Sequence, residues 1–238
     1  MAQTNPTPKG HERIETSNFL MIALILVAVA VGGLVEIVPL YFQRSTTEPV
    51  KGLKPYDALR LAGRDVYLRE GCYNCHSQMI RPFRSETERY GDYSKAGEFV
   101  FDHPFLWGSK RTGPDLHRIG GKYPDAWHFN HMDEPQLTSP GSIMPRYPWL
   151  LTQKLETNSL PARIGALRKV GVPYPGGFEA TAQTNLQAQA AKVVENLKQG
   201  AITNAPPARE IIALIAYLQR LGTDIKATNA PPAKTASN

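Results

Sequence analysis

Polarity divides the chain into unequal parts. A polar lead over residues 1–18 gives way at Phe19 to 17 consecutive apolar or glycine positions ending at Val35. After Glu36 the apolar character resumes through Ile37, Val38, Pro39, Leu40, Tyr41 and Phe42. As a helix, residues 19–42 would be about 36 Å long, enough to cross a hydrocarbon core of roughly 30 Å. Two later stretches have helical periodicity. From Tyr56 to Glu70, the residues Leu59, Ala62, Gly63, Val66 and Tyr67 share a face. From Glu210 to Leu221, Ile211, Leu214, Ile215, Leu218 and Leu221 do the same, and Gly222 ends the run. Gly63 would let these two helices cross closely, with Tyr217 filling the gap, as part of a core. Thr181 to Lys198 reads as an added helix and Gly165 to Gly177 as loop. The stretch 226–238 is polar and rich in Ala and Pro, which predicts disorder. The organisation predicted is a leading cytoplasmic segment 1–18, a membrane anchor 19–42, one mainly α-helical domain with long loops over 43–225, and the tail.

Composition agrees with long loops, since 20 prolines and 19 glycines punctuate regular structure. The 27 Lys and Arg against 21 Asp and Glu give +6, but the basic residues are scattered and form no dense run, so nucleic acid is excluded as a partner. For the apolar run the alternative to an anchor is a cleaved signal peptide, because Lys9 and Arg13 precede it and Ala28-Val29-Ala30 fits a small-x-small cleavage site. Cleavage there would leave the rest of the run exposed, which favours retention. Glu36 near the end of the span either reaches interfacial water or faces a partner subunit. Tyr41 and Phe42 suit the membrane interface. Arg44, Lys51, Lys54 and Arg60 after the span outnumber the cations before it, and a simple count would keep the large domain in the cytoplasm; large domains, however, translocate largely regardless of charge.

The only two cysteines, Cys72 and Cys75, lie in Gly71-Cys72-Tyr73-Asn74-Cys75-His76, a C-x-x-C-H motif. Two thiols one helical turn apart can both add to the vinyl groups on one edge of a porphyrin, while the adjacent histidine is carried under the ring to bind iron. A thioredoxin-like thiol pair would not need His76 and belongs to an alternation of strands and helices that is missing here. A zinc site would have to add His128 and His131, a pair one residue closer than the usual spacing. The motif points to haem c. A second axial ligand is then needed, and a neutral thioether favours the ferrous state. Of five methionines, Met1 is terminal, Met21 lies in the anchor, and Met79 follows His76 too closely to reach the opposite face. Met132 and Met144 remain, and Met144 is the better candidate because Pro145 stiffens its loop.

The apolar run, Gly71-Cys72-Tyr73-Asn74-Cys75-His76-Ser77-Gln78-Met79-Ile80-Arg81-Pro82, Thr112-Gly113-Pro114-Asp115-Leu116, Gly141-Ser142-Ile143-Met144-Pro145-Arg146-Tyr147-Pro148-Trp149-Leu150 and the closing Ile215 to Asp224 together resemble the monohaem second subunit of cbb3-type cytochrome c oxidases. The resemblance implies a class I cytochrome c fold with one haem joined covalently to Cys72 and Cys75, iron held by His76 and Met144, and the Pro114 carbonyl orienting the His76 ring. It implies a single-pass protein of the bacterial inner membrane with its haem domain in the periplasm. It further implies electron relay from a dihaem cytochrome c subunit to a catalytic haem-copper subunit, in a complex that reduces oxygen to water and pumps protons. Catalysis would reside in the complex and not in this chain. The stretch 147–207 is longer than a minimal cytochrome needs, and neighbouring subunits are its natural ligands. Trp107, Trp127 and Trp149 serve either packing or that interface.

Overall fold

The computed structural model describes residues 9–108 and 110–225, so the tail expected over 226–238 and most of the leading segment's first half lie outside the described residues. The chain divides into two compact units, 1–48 and 49–238.

In the first unit, helix α1 (Asn18–Phe42) carries the apolar run, and its mean hydropathy reaches 2.7 over its most apolar window, so it is long and apolar enough to cross a membrane. Ser17 starts it: the backbone there is extended and the Ser17 hydroxyl accepts from Leu20 N at 3.3 Å. Pro39 sits inside the helix and, having no N–H, cannot serve the carbonyl one turn earlier. A one-turn helix, Arg44–Thr47, follows.

The second unit is built, among the described residues, on six helices of seven residues or more: α2 (Ala58–Arg69), α3 (Arg84–Tyr90), α4 (Asp125–Asp133), α5 (Leu160–Lys169), α6 (Phe178–Gln199) and α7 (Glu210–Leu218). Among the described residues, β structure is limited to one isolated bridge, Lys154 to Arg209. Every residue of α7 is buried. It crosses α2 at the residue its sequence suggested: a Cβ on Gly63 would lie 1.9 Å from the Ala213 carbonyl oxygen and 2.9 Å from Tyr217 Cβ. Only hydrogen fits there. Tyr217 fills the space beside the crossing, its ring 5.3 Å from Tyr67 and 5.7 Å from Tyr56. The helix predicted to run to Leu221 ends at Leu218, because the last turn tightens, with Arg220 N reaching Tyr217 O at 3.0 Å and Leu221 N reaching Leu218 O at 3.2 Å.

The helix expected over 181–198 is present as the longer α6. Its polar side chains reach back to α2, where Asn185 Oδ1 accepts from Ala58 N and Gln189 Oε1 from Leu59 N, both at 3.3 Å. These bonds do what Asp57, at the N-cap position, does not, since its carboxylate pairs with Arg60 at 2.9 Å. The loop expected over Gly165–Gly177 is corrected by the structure: Gly165 to Lys169 complete α5, and the chain turns only from Val170. Pro161 in the first turn and the burial of Leu160 and Ile164 outweigh the ~1 kcal/mol that a helical glycine costs.

Candidate haem site

Helix α2 delivers the chain to the motif. Gly71 adopts the left-handed backbone (φ 69°, ψ 26°) that ends a helix and that a Cβ would oppose, and Cys72–Asn74 then form one 3-10 turn. His76 N closes this turn on Cys72 O at 3.0 Å. Both thiols are free; Cys72 is half-buried against the core and Cys75 is exposed.

The residues after the motif are zipped to the segment 113–117. Gly113 N donates to Cys75 O at 2.9 Å, His76 Nδ1 donates to Pro114 O at 2.8 Å, and Leu116 N donates to Ser77 O at 2.9 Å. The buried Asp115 carboxylate adds three bonds, from Ser77 Oγ at 2.6 Å, Met79 N at 2.8 Å and His117 N at 2.8 Å. Because Pro114 offers only an acceptor, the proton of the neutral imidazole must sit on Nδ1, which leaves Nε2 as the bare nitrogen that can bind a metal. Gly113 has no freedom either: a Cβ there would lie 2.3 Å from His76 Cε1. Arg111 clamps the far side of this ladder, donating to Ser77 Oγ at 2.7 Å, Met79 O at 2.6 Å and Glu86 Oε2 at 2.7 Å. Glu86 in turn accepts from Arg81 N at 2.8 Å.

The methionine segment approaches from elsewhere in the chain. Met144 is half-buried against the core, while Ile143 beside it is 81% exposed. The segment is tied on the carboxy-terminal side of Met144. Tyr147 N donates to Met132 O at 2.8 Å, Arg146 Nε donates to Asp133 O at 2.8 Å, and Trp149 Nε1 donates to Glu70 Oε2 at 3.0 Å, two residues before Cys72. Burial, followed by the charges of Cys72 and Cys75, raises the Tyr147 phenol, so this segment lies within electrostatic reach of the motif.

A family model described as cytochrome c oxidase, mono-haem subunit/FixO, matches residues 11–225. The chain belongs to that family. No curated protein matches it.

The FixO membership brings one haem, and the residues present fit a covalent one: two unpaired thiols on one turn, an imidazole with its Nδ1 proton committed to a carbonyl, and a cleared space at Gly113 that the ring fills. The alternatives fit less well. A redox-active C-x-x-C needs a stabilised thiolate, yet burial and Glu70 push the Cys72 thiol up to about 12. Among the described residues no three His, Cys, Asp or Glu side chains converge where a metal ion could sit, which leaves the zinc reading without a ligand set. His128 is buried and pushed down to about 4 by that burial, and His131 bonds Thr138 Oγ1 at 2.5 Å. Met132 is buried in the core and Met79 is held in the ladder by Asp115. Burial lowers the His76 imidazole, with Pro114 and Asp115 opposing the shift.

Of the three tryptophans, Trp107 packs edge-on to Phe99 at 5.6 Å, and Trp127 is stacked between Tyr123 at 4.1 Å and His131 at 4.5 Å. Trp149 is 40% exposed and tethers the methionine segment. Sequence reasoning gave no role to Arg111, Glu86 or Asp115. Asp115 stood in a quoted motif and could have been noticed as an acid beside a ligand-orienting proline; Arg111 and Glu86 carry no local signal. A second buried cluster was also missed, in which Glu98 holds Arg118 at 2.8 Å and His117 at 3.3 Å.

Proposed function

We propose that this chain is the membrane-anchored electron relay of a cbb3-type terminal oxidase, passing electrons from a dihaem cytochrome c subunit to the catalytic haem-copper subunit that reduces oxygen. One observation carries the reading: an apolar anchor, a C-x-x-C-H turn and a carbonyl-fixed His76 occur together in a chain matched to the mono-haem oxidase subunit family over residues 11–225. Cys72 and Cys75 would hold haem c through thioethers, and His76 Nε2 and Met144 Sδ would be the groups offered to its iron. When bound, the haem supplies a one-electron ferric/ferrous couple. The chain's residues do the rest. Pro114 fixes the imidazole's tautomer and plane, Gly113 admits the ring, and the Asp115 bonds keep residues 77 and 79 from drifting away from it. The half-buried Met144 presents a neutral sulfur that favours the reduced state. Oxygen reduction belongs to the haem-copper subunit, and this chain serves it by electron transfer. On this reading the haem domain lies in the periplasm of a bacterial inner membrane, where thioethers of this kind are formed, and α1 is the span.

Purification in mild detergent tests the reading. A large haem- and copper-containing subunit and a dihaem cytochrome should accompany the chain, and deletion should abolish oxidase activity. A chain that purifies alone and is dispensable for that activity overturns it.

A further inference from the structure

Asp115 and Arg111 do more than hold a loop. The Asp115 side chain is fully buried and Arg111 is 18% exposed, with 3.6 Å between carboxylate and guanidinium. Both grip the hydroxyl of the residue that follows His76: Ser77 Oγ donates to Asp115 at 2.6 Å and accepts from Arg111 at 2.7 Å. Asp115 also directly follows Pro114, whose carbonyl holds the imidazole. Two opposite charges thus meet on the residue next to His76, where little water screens them.

Reduction of a ferric haem removes one unit of positive charge from the iron. A fixed negative charge nearby therefore favours the ferric state and a fixed positive charge the ferrous state. Resting on the reading that His76 binds haem iron, we propose that Asp115 and Arg111 are a matched pair of positioning residues that set the haem's reduction potential in opposite directions, Asp115 lowering it and Arg111 raising it. The two effects are unequal. Arg111 shares its charge with Glu86, which it touches at 2.7 Å, whereas Asp115 is compensated only at 3.6 Å. Glu86 is shared again with Arg81. Asp115 therefore has the larger influence.

The test is a set of midpoint potentials on the full chain, matured with its covalent haem and held in detergent. Asp115→Asn, which keeps the shape and loses the charge, should shift the midpoint upward. Arg111→Gln should shift it downward by a smaller amount, and Arg111→Lys should restore most of the wild-type value. Loosening of the loop would move both variants the same way, so shifts of equal sign, or none, overturn the proposal. If Asp115→Asn fails to mature, Glu86→Gln leaves Arg111 without its neutralising partner and should raise the midpoint; an unchanged or lowered value overturns the proposal equally. The haem reading fails separately, through a wild-type chain whose denatured spectrum lacks covalent haem.

Discussion

The two sides of the candidate haem site are built differently. The histidine side is fixed residue by residue: segment 113–117 donates backbone bonds to Cys75 and Ser77, Asp115 adds three more, and Gly113 lets the chain press against the imidazole itself. The methionine side is tied after Met144, through Arg146, Tyr147 and Trp149, with Met144 N bonded locally to Ser142 Oγ at 3.2 Å and its neighbour Ile143 in solvent. The contrast suits the chemistry proposed for each. An imidazole ligand must keep one tautomer and one plane, which takes many bonds. A thioether needs only to be presented, and a stiff loop secured just beyond the sulfur-bearing residue does that.

The largest expected effect breaks the rigid side. Gly113→Val puts side-chain atoms where the His76 ring lies, and overpacking of this kind costs about 1–3 kcal/mol even where neighbours can shift. Covalent haem yield should collapse and any remaining haem should lose its low-spin spectrum; normal yield with a normal spectrum would refute the cradle. Next in size is Met144→Ala, which should leave haem attached through Cys72 and Cys75 while lowering the midpoint potential, since the thioether is gone. An unchanged potential would shift ligation to Met132 or another group.

Acid probes the histidine side and the adjoining Glu98 cluster more gently. The Arg111 hydrogen bond holds Glu86 at about 2; burial alone would raise Glu98, but Arg118 and His117 bring it to about 2 as well. Against an ordinary value of 4.5, each carboxyl binds its proton more weakly in the folded chain. Their stabilisation is complete above pH 4.5 and is lost as the pH falls from there toward 2. Denaturant midpoints measured across that window should fall less steeply in Glu98→Gln than in the wild type. Equal slopes would remove Glu98 from the account. Smallest is Trp149→Phe, which deletes the bond to Glu70 at a half-exposed site and should cost about 0.5–1 kcal/mol. It should also speed displacement of the methionine ligand by added imidazole, with the midpoint potential little changed.

Local features were the legible ones. The anchor, α2 and α7 follow from runs and periodicities within a few turns, and the close crossing at Gly63 follows from one small residue on an apolar face. Gly165 misled in the other direction: as a breaker it suggested loop, while Leu160 and Ile164 had enough core to bury to carry the helix past it. What stayed invisible depends on distance along the chain. Asn185 and Gln189 serve amides 127 and 130 residues away, and Arg111 meets Glu86 across 25. Neither spacing leaves a mark in composition or period. The Pro114 carbonyl on His76 was anticipated only through family resemblance, because no rule of spacing selects one carbonyl among many.

The Asn185 and Gln189 bonds make the start of α2 depend on a helix that is synthesised much later. A chain emerging amino-terminus first exposes α2 and the Cys72 turn long before α6 has arrived to satisfy the start of α2. During that interval the first turn of α2 has water for its partners and can open. Arrival of α6 then satisfies those amides, so the helix that leads to Cys72 is complete only once the carboxy-terminal part of the chain has been made.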